Sequence, residues 1–210
     1  MKHLYFKVNK EAIEVRCNII LTQKDILDIL NKNIKIIEKR YKIAILTPVL
    51  EDFGQILYKG TPLPLEIEIN PNLKKESFNL KDNSIELKLK SNLTKQKKEL
   101  IRDLIYKTFA PKEFSSRVYY WQKITNLEAS KFSFRKAKSR WGSCSYKNSI
   151  SLNSRLLMLP QRLSDYVIVH ELAHIVHKNH SKDFWALVEK FYPEYKEARK
   201  ELKKYGALLT

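Results

Sequence analysis

The sequence predicts an α+β protein, and three observations carry that prediction. Segments with two-residue alternation crowd the first ninety residues; long stretches with apolar residues at helical spacing dominate the rest; and one of those helical stretches carries "HELAHIVHKNH", with four of the five histidines. We divide the chain into an N-terminal β-rich region with one helix, residues 1–93, and a second domain, residues 94–210, that holds the chemistry.

In the first region "HLYFKVNKEAIEVRCNII" alternates as strands do, and "TQKDILDILNKNIKIIEKRYKI" has helical spacing behind Thr22, a capping residue. "GQILYKGTPLPLEIEIN" reads as two short strands joined by a turn at Gly60 to Pro64, and "FNLKDNSIELKLK" as a hairpin around Asp82 and Asn83. From Thr94 to Phe109 the spacing predicts a helix with Leu100, Leu104, Ile105 and Thr108 on one face. "ASKFSFRKA" alternates, with Phe132 and Phe134 on one side, and "SISLNSRLLML" is a further strand ending at Pro160. Helical spacing returns through "RLSDYVIVHELAHIVHK". It continues in "SKDFWALVEKFY", and Pro193 opens a terminal helix to about Tyr205.

Composition limits the function classes. No run approaches the ~20 apolar residues of a membrane span, and the N-terminus has no apolar core of a signal peptide. Cys17 and Cys144 are too few and too far apart for a disulfide framework. We therefore expect a cytoplasmic protein without a membrane partner. The net charge of +17 includes a dense cluster, "KFSFRKAKSR", with Lys131, Arg135, Lys136, Lys138 and Arg140 and no acid. Such a cluster favours anionic partners, nucleic acid or nucleotides among them.

His170 and His174 are four residues apart on a helix, so their imidazoles stand one turn above each other and can hold one Zn2+. Glu171 lies beside them as the general base for a zinc-bound water. A catalytic zinc needs a third protein ligand and one open position. His177 lies on the same helix face about 10.5 Å along the axis from His170, a poor arrangement for a tetrahedron. His180 follows Asn179, a residue that tolerates the left-handed turn ending a helix, and can come back toward the metal. The separation of His174 from His180 equals that of the metzincins. We therefore assign His170, His174 and His180 to the metal and leave the role of His177 open. Ser181 then caps the next helix. Cys144 reads as a structural thiol, Trp141 as core packing, and Gly142 as a tight turn or close helix approach. Arg140, Lys138 and Asn153 are the candidate substrate contacts, and Asn153 and Arg155 alternate along a strand bordering the cleft.

"SRWGSC" (139–144), "ISLNSRLLMLP" (150–160), "VIVHELAH" (167–174), "NHSKDFW" (179–185) and "YPEYKEARKEL" (192–202) follow one another in order. Together they resemble the YgjP-like metal-dependent hydrolases, also described as YgjP-like metallopeptidase domains, most strongly over residues 94–205. "LYKGTPLPLEI" resembles that family's N-terminal strand region more loosely. SprT-like and WLM-type zinc proteases, linked to DNA–protein crosslink repair, are similar over the H-E-x-x-H helix and the following histidine and share little of the remaining pattern. The resemblance implies a zincin-like core, a small sheet packed on the zinc-binding helix, with His170, His174 and His180 as ligands and Glu171 catalytic. Some family members are assigned a UTP pyrophosphatase activity. The expected function is a zinc-dependent hydrolase of metallopeptidase type. Nucleoside triphosphate hydrolysis at the same metal, with Lys131, Arg135, Lys138 and Arg140 neutralising phosphates, is one alternative, and a nucleic-acid-associated protease is another. The expected substrate is a peptide, a protein or a nucleotide.

Overall fold

A computed structural model of the chain describes residues 4–8, 13–17, 21–38 and 53–209. The parts of the predicted strands and helix at 9–12, 18–20 and 39–43 lie outside the described residues. By contacts the chain forms two compact units, Met1–Asp52 and Phe53–Thr210. The first contains an antiparallel pair, β1 (Leu4–Val8) and β2 (Ile13–Cys17), and helix α1 (Gln23–Lys32). Thr22 caps α1 as expected: its hydroxyl accepts from the Asp25 N–H, and the Asp25 carboxylate accepts from the Thr22 N–H.

The second unit begins with a four-stranded sheet of order β3-β4-β6-β5, comprising β3 (Gln55–Tyr58), β4 (Thr61–Ile69), β5 (Ser77–Leu80) and β6 (Ile85–Leu89). The first turn is tighter than the sequence predicts. Tyr58 pairs with Thr61, so the loop is only Lys59 and Gly60, both at positive φ (49° and 86°), and Pro62 and Pro64 belong to β4. A Cβ on Gly60 would come 2.7 Å from the Pro160 ring. The turn is also bonded to the main body, Lys59 N–H to Leu157 C=O and Gly60 N–H to Met158 C=O. The hairpin around Asp82 and Asn83 forms as expected, β5 pairing antiparallel with β6.

Helix α2 (Lys95–Thr125) is capped by Thr94 and runs 31 residues, straight through Pro111. An internal proline costs ~3 kcal/mol. Beyond it the helix buries Phe114, Val118 and Trp121, each contributing roughly 1.5–3 kcal/mol, so burial wins. The buried face also differs from the expected one. It carries Ile101, Ile105, Tyr106 and Phe109, while Leu100 and Leu104 are exposed and of the predicted set only Ile105 is buried.

A second sheet follows, order β7-β9-β8, from β7 (Lys131–Arg135), β8 (Gly142–Cys144) and β9 (Ser149–Asn153). β7 runs parallel to β9, and β8 returns antiparallel as an edge strand. The predicted strand through Leu159 stops at Asn153, where a 3-10 turn, Ser154–Met158, takes over with all five residues buried. Three helices close the unit: α3 (Gln161–Val176), α4 (Lys182–Phe191) and α5 (Tyr195–Tyr205). α3 is the central helix, with Leu163, Val167, Ile168 and Leu172 in the core. Arg117 of α2 clamps Asp165 of α3 through two hydrogen bonds, Nε to Oδ1 at 2.9 Å and Nη2 to Oδ2 at 2.6 Å. The fold is thus a mixture of small sheets and helices. Among the described residues no helix is long and apolar enough to cross a membrane.

Candidate metal centre

His170 and His174 project from the last two turns of α3. The helix ends at Val176, and His177 takes an extended conformation (φ −116°, ψ 106°). The break therefore falls two residues before Asn179, which does not adopt the left-handed conformation expected of it. Ser181 then starts α4, its hydroxyl accepting from Phe184 N–H at 3.3 Å. This short connection brings His180 back over α3. The ligand atoms of His170, His174 and His180 lie within 4.8 Å of one another, and the Nε2 atoms of His170 and His180 are 3.1 Å apart.

The donor set fits a metal. Tetrahedral zinc with Zn–N bonds of ~2.1 Å spaces its nitrogens ~3.4 Å apart, and three imidazoles leave the fourth position open. Without a metal, two neutral Nε2 atoms at 3.1 Å can share only one proton. Burial, then the neighbouring imidazoles of His174 and His180 and the Arg199 charge, push the His170 pKa down to about 3. Burial lowers His174 as well, against the pull of its bond to the His177 carbonyl. Both rings are therefore neutral at physiological pH, the form that binds metal.

Each ring is oriented by a specific neighbour. His174 Nδ1–H donates to the His177 C=O at 2.9 Å, which fixes the tautomer and leaves Nε2 for the metal. His177 thus serves through its backbone, a role that side-chain spacing could not reveal. Phe184, fully buried, lies 4.9, 4.5 and 4.8 Å by ring centroids from His170, His174 and His180. It forms an apolar floor under all three. His180 is otherwise exposed, and Trp185 stacks on it at 5.5 Å with planes 23° apart. Tyr195 in turn stacks on Trp185 at 5.4 Å, and the Arg199 guanidinium lies 4.7 Å from the Trp185 ring centre. His170 Nδ1 is buried without a hydrogen-bond partner among the described residues.

Glu171 is 5% exposed. Burial pushes its pKa up to about 8, with Arg140 pulling the other way. Its carboxylate lies on the backbone of β8: a Cβ on Gly142 would come 2.6 Å from Glu171 Oε1 and 2.8 Å from Cδ. The expected close helix approach at Gly142 is this contact. Cys144, two residues along β8, is half-buried, its thiol pushed up chiefly by burial, and it is outside the metal-ligating group.

Of the candidate substrate contacts, Arg140 lines a cavity of about 360 Å³ with Arg135, Lys136, Gly142 and Asn153. Lys138 is exposed and outside that cavity. The Asn153 amide donates to the carbonyls of Ala137 at 2.8 Å and Arg140 at 2.9 Å, so it pins the basic loop to the sheet instead of facing outward. Arg155 does not border the cleft. It is buried and bonded to Asp103 of α2 and to the Leu208 carbonyl. Within the basic cluster Lys136 pairs with Asp103 and Arg135 with Ser151.

A family model described as YgjP-like, metallopeptidase domain, matches residues 2–205. Among solved structures, the crystal structure of the metallopeptidase zymogen of Pyrococcus abyssi abylysin is 28% identical to it. That match covers 41% of this chain and 89% of the other, with a TM-score of 0.38. No curated protein matches. With its histidine cluster at the end of α3 and a family model spanning nearly its whole length, the chain belongs to the YgjP-like metallopeptidase family and is a metal-dependent hydrolase.

Proposed function

We propose that the chain is a zinc peptidase with a zincin-like core, in which His170, His174 and His180 hold the metal and Glu171 is the general base. The chemistry is assigned to residues 94–210, with 1–93 as an accessory β-rich region. The observation that carries this reading is the convergence of three imidazoles within 4.8 Å, those of His170 and His174 held neutral by burial, beside a buried carboxyl group.

Zinc held by His170, His174 and His180 would supply Lewis acidity and make a water nucleophilic near neutral pH. The rest is the work of the chain. Glu171, held in a dry site against Gly142, accepts a proton at a carboxylate oxygen and returns it to the leaving amine. Its raised proton affinity suits the second step. The His177 carbonyl holds His174 in one tautomer, and Phe184 excludes water from behind the rings. Arg140, already within electrostatic reach of Glu171, is placed to meet negative charge that develops on the substrate.

A peptide substrate is favoured by β8. It is an edge strand of its sheet, and of the two edges it is the one that carries the residue against which Glu171 rests. An extended peptide adding to that edge passes the general base. The nucleotide reading draws on the cavity of Arg135, Lys136 and Arg140, with its three cations. Metal analysis of untagged protein purified without chelators, followed by parallel peptide and nucleoside triphosphate panels, separates the two. Peptide hydrolysis is expected in wild type and not in Glu171→Gln, with zinc retained in both. Full activity in Glu171→Gln would falsify the general-base role.

A further inference from the structure

Beyond the metal centre, α4 and α5 face each other across a groove of about 570 Å³. On α5 its wall is made by Lys196, Arg199, Lys200 and Lys203. These residues are spaced i, i+3, i+4 and i+7, which is one continuous helix face. On α4 the wall carries Lys182, Trp185, Ala186 and Glu189 at the same spacing. The groove therefore has five cations and one acid, and that acid is already paired with Lys196 at 3.2 Å. Lys182, Arg199, Lys200 and Lys203 have no carboxylate partner among the described residues.

Like charges at these spacings repel and weaken a helix by a few tenths of a kcal/mol per pair. The same helix does carry acids, but Glu201 is turned to Arg162, away from the cationic stripe. The groove also begins at the metal centre, because its Trp185 is the ring that stacks on His180. We propose that this groove is the docking site for an acidic stretch of the polypeptide substrate, adjoining the bond to be cut. The proposal rests on the peptidase reading above.

The choice of an acidic peptide over nucleic acid follows from the aromatic groups. Single-stranded nucleic acid binds through cations and free aromatic faces on which bases stack. The Trp185 ring is already engaged by His180, Tyr195 and Arg199. What remains for a ligand is ammonium and guanidinium groups, which suit carboxylate side chains.

The test uses full-length zinc-loaded protein, wild type and the triple variant Lys196→Gln, Lys200→Gln, Lys203→Gln. All three side chains are exposed, so the variant is expected to fold, and its circular dichroism and zinc content check that. Fluorescence anisotropy with a labelled hexaglutamate peptide reads binding without any need for turnover. The triple variant is expected to bind it roughly tenfold or more weakly, while the triple Lys→Arg counterpart binds as wild type does. In a second arm, a cleavable neutral peptide and the same peptide with a glutamate tail are compared by kcat/KM. The tail is expected to raise kcat/KM in wild type and not in the triple Gln variant, with the neutral peptide cut equally by both. Equal hexaglutamate binding by wild type and the Gln variant overturns the proposal. So does tighter binding of a single-stranded oligonucleotide of equal charge, which would make the groove a nucleic-acid surface. If wild type cuts neither peptide, the peptidase reading has failed and the substrate-docking proposal falls with it; the anisotropy then reports separately whether the groove binds acidic chains.

Discussion

Gly142 and Glu171 meet with no room for a single further carbon: a Cβ at residue 142 would lie 2.6 Å from the carboxylate oxygen and 2.7 Å from Cγ. The edge strand and the metal helix are thereby brought into direct contact at the residue proposed as general base. A glycine in an extended strand weakens it, so its presence at this position is explained by the carboxylate it admits.

Gly142→Ala is accordingly expected to displace the Glu171 carboxylate or force β8 outward. Overpacking of this kind costs roughly 1–3 kcal/mol. Activity should fall by about 10²-fold or more, the range of general acid–base catalysis, while zinc content stays at the wild-type level. Unchanged kcat in this variant would show that the carboxylate has another place to go.

His177 and His180 separate a backbone role from a ligand role. His177→Ala keeps the carbonyl that accepts from His174 Nδ1, so zinc binding should stay within a few-fold of wild type. His180→Ala removes a ring whose Nε2 lies 3.1 Å from that of His170 and should abolish stoichiometric zinc. Competition with a chromogenic chelator reads both affinities. The reverse ranking would make His177 the third ligand.

Phe184 touches all three imidazoles and is fully buried. Phe184→Ala should cost about 3–5 kcal/mol in stability, and Phe184→Leu less. In the leucine variant the rings lose their shared floor, so zinc affinity should drop by about 10–100-fold, as it does for groups that orient ligands. If affinity holds while stability falls, Phe184 is a core residue and nothing more.

These predictions show which features the sequence made readable. The pair His170 and His174 and the return of His180 follow from helical spacing and a chain break, and the structure brings those three together. Burial obeyed no such simple rule along α2. There Pro111 argues for a stop that tertiary packing of Phe114, Val118 and Trp121 overrides, and Leu100 and Leu104 look apolar yet face outward. β8 is three residues long, too short for alternation to mark it, although Gly142 within it decides where Glu171 sits. The support from the His177 carbonyl is invisible in principle, since every residue carries that group. The stack of His180, Trp185 and Tyr195 depends on how α4 meets α5, which only the fold can supply.

The last prediction concerns the metal-free protein and follows from two opposed shifts. His170 is held near pKa 3, below its ordinary 6.5, because burial disfavours its cation. The unfolded chain therefore binds more protons at this group between pH 6.5 and 3, and stability falls as pH drops through that window. Glu171 is raised to about 8 from 4.5, again by burial. Its folded state binds the extra proton, so stability falls as pH rises from 4.5 to 8. Between 4.5 and 6.5 the Glu171 slope opposes that of His170 and of His174, which burial also lowers, so chelated wild-type protein should lose Tm only gently toward pH 4.5 and decline toward pH 8. Glu171→Gln deletes the alkaline decline and exposes the histidine slope, so its Tm should fall as pH is lowered from 6.5 to 4.5. A Glu171→Gln profile parallel to wild type between 6.5 and 8 would mean that the carboxyl is already ionised in the folded protein, and burial would then not be what sets its charge.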